Sequence, residues 1–167
     1  MTVNPIPSPV RFGDSVICMS GYRGAAAVSI PLSAKGDLGD KPAADKVSWQ
    51  HAAGTPYVPS PALAGELLYF TSTNEPVLTV LNAKTGKAVV NKERLDAVKS
   101  FYASPIVADG RVYFADRAGT TVVIKVGDKP DVLAVNKLDD AFDASPVAVG
   151  KQLFLRGQKA LYCVEAR

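Results

Sequence analysis

Four copies of one sequence unit fill this chain and leave few folds open to it. The dipeptide Ser-Pro begins at Ser8, Ser60, Ser104 and Ser145, at spacings of 52, 44 and 41 residues. Each copy continues with small or apolar residues, a turn that contains glycine, and an aliphatic or aromatic run. A period of about 40–45 residues made of short β-rich segments is typical of the blades of a β-propeller.

Within a unit, alternating apolar segments separated by turn residues predict a four-stranded antiparallel meander. The turn 83–86 joins the last two strands of the second unit, and Gly86 supplies the positive φ that a tight hairpin needs. The strands predicted in the last three units cover residues 61–64, 67–72, 77–82, 87–94, 112–115, 121–126, 132–136, 152–155 and 159–165.

The pattern therefore predicts an all-β fold, a partial β-propeller of four four-stranded antiparallel blades. We expect one half-propeller domain over residues 1–167, with blades at approximately 8–52, 60–96, 104–138 and 145–167. Too few residues follow Pro146 for four strands, so the last blade is expected to be incomplete. An ordinary β-sandwich with similar hairpins is the alternative, and the fixed period disfavours it.

Composition narrows the function classes. With 47% hydrophobic and 21% charged residues the chain can bury a core, which excludes wholesale disorder. The net charge of +3 gives no reason to expect a nucleic-acid partner. No apolar run is long enough for a transmembrane helix, and the first residues lack the features of a signal peptide. Cys18 and Cys163 occupy strand positions and are interpreted as small buried residues.

The unit resembles the pyrroloquinoline-quinone-type (quinoprotein-like) β-propeller repeat. The resemblance lies in the Ser-Pro starts, in the run from Val80 to Lys87, and in Trp49, which holds the place of the docking tryptophan. Two positions depart from the family pattern, since Val90 stands at the second docking-tryptophan place and Asn82 replaces the usual aspartate. The resemblance covers nearly the whole chain.

The resemblance supports a prediction of the fold, but a shared fold does not by itself indicate a catalytic activity. The dehydrogenases of this family carry an adjacent cysteine pair near the quinone, and this chain has none, so quinone-dependent oxidoreductase activity ranks last and pyrroloquinoline quinone is not expected. The family also contains noncatalytic scaffolds that help assemble outer-membrane proteins. A noncatalytic binding or interaction module is therefore our first hypothesis, and the resemblance implies a location in the bacterial periplasm or cell envelope. Members of the family are typically exported, so the missing signal peptide and the missing final strand lead us to expect that this chain is a piece of a longer protein.

A half ring would leave an apolar blade face at each end and an unpaired strand edge near the C-terminus, and both invite association. We therefore expect a homodimer in which two four-blade halves complete an eight-blade ring with twofold symmetry. Residues 2–4 are expected to pair with the partner's last blade. The alternative is a four-blade ring closed within one chain.

In a propeller, the junctions between blades and the hairpins between second and third strands meet on one face around the axis, where ligands usually bind. We expect a protein or a small molecule to bind on this axial face. The candidate ligand-binding residues, drawn from these loops, are Arg23, Tyr57, Tyr102, Arg117 and Arg156.

A metal site is the second possibility on the same face. His51 is the only histidine, and Asp139, Asp140 and Asp143 are the densest carboxylates. A divalent ion held by these groups could activate water, so the second hypothesis is a metal-dependent hydrolase of esters or phosphoesters with His51 and Asp143 as catalytic candidates. The spacing matches no known metal motif. A surface histidine and a loop with turn-forming aspartates is the simpler reading, and no cofactor is firmly expected.

Overall fold

The structure is a computed structural model, which describes residues 1–39, 42–72 and 75–165. It contains fifteen β-strands in the described residues and, in that part of the chain, no helix. In chain order the strands are β1 Val10–Phe12, β2 Ser15–Ser20, β3 Ala26–Pro31, β4 Trp49–His51, β5 Ala62–Ala64, β6 Leu67–Thr71, β7 Val77–Asn82, β8 Ala88–Arg94, β9 Ile106–Ala108, β10 Arg111–Ala115, β11 Thr120–Lys125, β12 Val132–Lys137, β13 Val147–Val149, β14 Gln152–Arg156 and β15 Leu161–Glu165.

The strands form four antiparallel sheets, each made of consecutive strands, which we number blades 1 to 4. Blades 1, 2 and 3 have four strands, β1–β4, β5–β8 and β9–β12, and blade 4 has three described strands, β13–β15. The all-β partial propeller predicted from the repeat is confirmed, and in blades 2 and 3 the predicted strand ends agree to within one residue. No helix long and apolar enough to span a bilayer occurs in the described ranges.

Three hydrophobic clusters fill the three junctions between consecutive blades. Because directly paired residues share a face of a sheet, Tyr69 and Val80 of blade 2 point the same way and pack with Val112 and Phe114 of blade 3. The opposite face of blade 2 packs on blade 1, and Leu155 of blade 4 joins a smaller cluster with blade 3. Blades therefore stack face to face in chain order.

Trp49 fastens blade 1 to blade 2. Its indole Nε1 donates a hydrogen bond to the carbonyl oxygen of Ala83 at 2.8 Å, and its ring lies against Gly86 so closely that a Cβ atom there would meet it at 2.6 Å. Gly86 also has φ of 69°, which a side chain rarely adopts. The docking position implied by the family resemblance is thus used as a contact between blades.

A chain of hydrogen bonds links the Ser-Pro starts. The backbone N–H of Ser8 donates to Oγ of Ser60, that of Ser60 to Oγ of Ser104, and that of Ser104 to Oγ of Ser145, each at 2.9 Å. The serine of each of the last three repeats therefore holds the start of the preceding blade. In the described part of the chain, the N–H of Ser145 has no such acceptor and Oγ of Ser8 has no such donor.

The arc of blades is open. Among the described residues no hydrophobic cluster joins blade 4 to blade 1. Blade 4 exposes Val147, Val149 and Leu161, at 54%, 59% and 68% of their surface, beside Phe154 and Cys163 on the same side; we call this the last open face. Blade 1 ends the arc with the first open face, which consists of half-buried Val16, Cys18 and Ile30 and of Val28, which is buried.

The N-terminal residues lie against blade 1. The N–H of Thr2 donates to Oγ of Ser20 at 2.8 Å, and the methyl group of Thr2 lies beside Gly24. Residues 2–4 form no strand in this structure. Their pairing with a partner's last blade stays a prediction.

Candidate functional site

Tyr102, Arg117 and Asp143 meet on the axial face, and we call them the Arg117 cluster. Nε of Arg117 lies 2.6 Å from Oδ1 of Asp143, and its guanidinium carbon lies 3.9 Å from the centre of the Tyr102 ring. The three residues come from the β10–β11 hairpin and from the junctions before and after blade 3. The Arg and Asp side chains keep 42% of their surface exposed, so the cluster is accessible.

The hairpin that carries Arg117 is held by a neighbouring buried carboxylate. Asp116 is fully buried; its Oδ1 accepts the N–H groups of Ala118 and Thr120 at 2.9 and 2.8 Å, and its Oδ2 accepts that of Lys99 at 3.0 Å. This carboxylate ties the hairpin to the incoming junction and thereby positions Arg117 against Tyr102. Sequence reasoning missed Asp116, although an Asp three residues before a Gly is a turn signal.

The Arg117 cluster presents a charged and aromatic surface that suits recognition. The hydrogen bond with Asp143 raises the pKa of Arg117 above its ordinary value, so the guanidinium keeps its charge at all physiological pH values. A guanidinium stacked on an aromatic ring presents a flat charged surface. Tyr and Arg side chains are also enriched at the energetic centres of protein interfaces.

A second aromatic group lies at the blade 1 end of the same face. The rings of Tyr22 and Tyr57 stack at 4.8 Å with 29° between their planes, and the guanidinium carbon of Arg23 lies 5.3 Å from the centre of the Tyr22 ring. A cavity of about 280 Å³ beside them is lined in part by Tyr57, Glu75 and Lys92. Two of the predicted binding residues, Arg23 and Tyr57, therefore share one patch, which also contains Tyr22, a residue that the sequence pattern does not predict.

Arg156 lies on the last blade, near Asp143. Both line a cavity of about 250 Å³ together with Ala141, Ala144 and the β14–β15 turn. Its position extends the polar rim from the Arg117 cluster toward the end of the arc. Four of the five predicted ligand-binding residues thus lie in hairpins and junctions, Arg156 is the last residue of β14, and the role of all five in binding stays a prediction.

Asp140 organises the β14–β15 turn. Its carboxylate accepts the N–H groups of Ala141, Gln158, Lys159 and Ala160 and the hydroxyl of Tyr162, at 2.7 to 3.3 Å. Loss of solvent raises the pKa of this carboxyl, but these hydrogen bonds outweigh that effect and lower the pKa below its ordinary value of 3.8. The charge of Asp140 is therefore committed to the fold.

The other metal-site candidates have separate partners. Asp139 pairs with Nζ of Lys159 at 3.0 Å, Asp143 pairs with Arg117, and His51 is on blade 1, where its Nε2 contacts the carbonyl oxygen of Ala53 at 2.8 Å. No group of three His, Cys, Asp or Glu side chains in the described residues is arranged to hold a metal ion. The hydrolase and quinone hypotheses therefore gain no support from the geometry.

Comparison with known proteins assigns the repeat. A sequence model for the family described as outer membrane protein assembly factor BamB matches residues 34–139, which is more than half of the chain. No curated protein matches the chain in sequence.

Solved structures show the same fold at low sequence identity. BamB from Moraxella catarrhalis superposes with a TM-score of 0.69 at 9% identity, over 94% of this chain and 41% of that one. The computationally designed Ika4 protein gives 0.68 at 10% identity, over 99% of this chain and 93% of that one. A europium-containing methanol dehydrogenase gives 0.55 at 17% identity, over 77% of this chain and 24% of that one. This chain thus spans 41% of the BamB structure and nearly all of Ika4.

Proposed function

The chain belongs to the outer membrane protein assembly factor BamB family, and from that premise we propose that it is a noncatalytic interaction module of the bacterial cell envelope that takes part in the assembly of outer-membrane proteins. The family supports the process and the location. The geometry supports the noncatalytic role, because Asp139, Asp140 and Asp143 are bound to Lys159, to backbone N–H groups and to Arg117 respectively.

The exposed apolar face at the blade 4 end of the arc is the observation that carries an interaction role. Val147 and Phe154 on the last open face stand where Ala62 and Tyr69 stand in blade 2. In blade 2 that side is covered by blade 3, and Tyr69 is 1% exposed. Apolar faces of this kind are stable in water when another sheet covers them.

The occupant that we propose is a second copy of the chain. The last open face is the kind of surface that packs against a following blade, and the first open face is the kind that packs against a preceding one. Two copies related by a twofold axis would cover both and close a ring of eight blades without remaining faces. The unused N–H of Ser145 and the unused Oγ of Ser8 of the partner subunit would then continue the serine hydrogen bonds across each seam.

The ring would present a second, separate surface to a protein ligand. The Arg117 cluster and the Tyr22–Tyr57 stack lie at hairpins and junctions, where they stay accessible after the blade faces are covered. Rigid aromatic rings next to guanidinium groups are typical anchors for protein segments. We propose the axial face as the site where a protein partner binds.

The assembly mass of the purified chain, measured by light scattering together with metal analysis of the same sample, tests the proposal. The expected result is a metal-free species of about 35 kDa, twice the 17.6 kDa chain. A stable 17.6 kDa species at micromolar concentration would overturn the ring. A stoichiometric divalent ion whose removal abolishes an esterase or phosphoesterase activity would overturn the noncatalytic role.

A further inference from the structure

The two cysteines of the chain lie on opposite open faces of the arc. Cys18 pairs with Val28 across β2 and β3, on the side of blade 1 that faces away from blade 2. Cys163 pairs with Phe154 across β14 and β15, on the side of blade 4 that faces away from blade 3. Both thiols are free, Cys18 half-buried and Cys163 exposed, so the sequence-based interpretation of both as buried residues is wrong for Cys163. Neither faces a junction between blades within the chain.

The seam between blades 2 and 3 shows what such positions meet. Pairing register makes Cys163 the equivalent of Val80, since Phe154–Cys163 matches Tyr69–Val80. Cys18 is the equivalent of Phe114, because each directly follows the residue that pairs with the first residue of the inner strand. Val80 and Phe114 pack in one hydrophobic cluster, one from each side of the seam. If blade 4 of one copy stacks on blade 1 of a second copy in the same way, Cys163 of the first copy and Cys18 of the second lie in one cluster.

We propose that each seam of the ring holds Cys163 of one chain against Cys18 of the partner subunit and that an oxidising compartment joins them as a disulfide. This inference rests on the proposed ring. Disulfides between two face-packed sheets are known in β-sandwiches, so the geometry is one that proteins use. Twofold symmetry gives two such bridges, one per seam, and the cell envelope is a compartment in which disulfides persist.

The oxidation balances with a small-molecule disulfide as the oxidant. The thiolate of one cysteine attacks the oxidant and releases one small thiol, which leaves a mixed disulfide. The thiolate of the other cysteine displaces the second small thiol, so two protein thiols give one bridge and two reduced thiols. Burial raises the pKa of the Cys18 thiol, so the exposed Cys163 is the group that reacts first.

Two single-cysteine variants test the pairing. Wild-type chain, Cys18→Ser, Cys163→Ser and an equal mixture of the two variants are treated with oxidised glutathione and run on a denaturing gel without reductant. The expected products are a covalent dimer for the wild type, none for either variant alone, and a covalent dimer again for the mixture, in which one seam keeps both thiols. Tryptic peptides 12–23 and 160–167 should be linked and should separate on reduction.

Each other outcome counts against the pairing. A covalent dimer of either single variant would mean that like faces meet, and a wild-type disulfide within one chain would mean a closed four-blade ring. Light scattering of the Cys18→Ser/Cys163→Ser double variant separates the two proposals. If this variant is a dimer while the wild type forms no disulfide, the ring stands and the cysteine pairing is wrong. If wild type and double variant are both monomeric, the ring itself is wrong.

Discussion

Replacement of Val147 by aspartate is expected to separate the two halves of the proposed ring. Val147 lies on the inner strand of blade 4 and exposes 54% of its surface on the last open face. Complete burial of a valine side chain contributes about 1.5 kcal/mol, so covering this exposed part contributes about 0.8 kcal/mol at each seam. Aspartate loses that contribution.

The unpaired carboxylate adds a larger penalty. Burying a polar group without a partner costs about 1–3 kcal/mol in proteins, so each seam loses at least about 2 kcal/mol. The twofold ring contains the residue at two seams, and the sum of about 4 kcal/mol corresponds to a dissociation constant raised about 1,000-fold. Sedimentation equilibrium over a range of chain concentrations measures this constant directly.

Val135→Asp is the matched control. Val135 is exposed to a similar degree, 52%, but lies on the outer strand of blade 3 and on neither open face. Its replacement is expected to leave the dissociation constant within a few-fold of wild type. Fluorescence of Trp49, the single tryptophan, is expected to be unchanged in both variants because that residue is between blades 1 and 2. Equal dissociation constants for the two variants would refute the seam at blade 4.

Two further predictions concern the fold itself. Gly86→Ala should lower the free energy of unfolding by about 2–4 kcal/mol in urea titrations, because a left-handed residue costs about 1 kcal/mol and crowding of Trp49 adds about 1–3. Gly65 also has a positive φ, 59°, but open space surrounds it. Gly65→Ala should therefore lower the free energy of unfolding only by the backbone cost of about 1 kcal/mol. Equal losses of unfolding free energy in Gly86→Ala and Gly65→Ala would contradict a tight contact between Gly86 and Trp49. Asp140→Asn should make the free energy of unfolding less sensitive to acid. Because the pKa of Asp140 is lower in the folded state, its ionised carboxylate stabilises the fold at pH values above the unfolded-state pKa. This stabilisation disappears as the pH falls through the folded-state pKa. The difference between wild type and variant should shrink below pH 3.8, and a difference independent of pH would refute the role of the charge.

The blades were predictable because they depend on local sequence signals. Alternation of apolar residues and glycine turns defines strands such as β7, which was predicted at its observed ends. Even the departure at Asn82 keeps the local function of an aspartate, since its Oδ1 accepts the N–H groups of Lys84 and Thr85 at 3.1 and 3.0 Å. A side-chain oxygen that accepts the backbone N–H two residues further along suffices, and the amide provides it.

The metal hypothesis failed to gain support for a reason that sequence cannot reveal. Three aspartates within five residues give a high local density of carboxylates, but ligation requires that they converge on one point. In the structure Asp139 contacts Lys159, Asp140 turns into a loop of backbone N–H groups, and Asp143 reaches Arg117. The direction of each side chain is set by partners 18 to 26 residues away in sequence. Spacing alone carries no information about those contacts.

The same dependence on distant partners explains why the axial face varies from blade to blade. Tyr102 and Asp143 occupy equivalent places, each two residues before a Ser-Pro start, and they differ in chemistry. Arg117 lies between them and uses the ring of one and the carboxylate of the other. The repeat keeps the backbone of each blade constant, and one arginine at a hairpin determines which side chains suit the two junctions beside it. Under the proposed function, recognition depends on the hairpins and junctions, while the faces between blades hold the blades together.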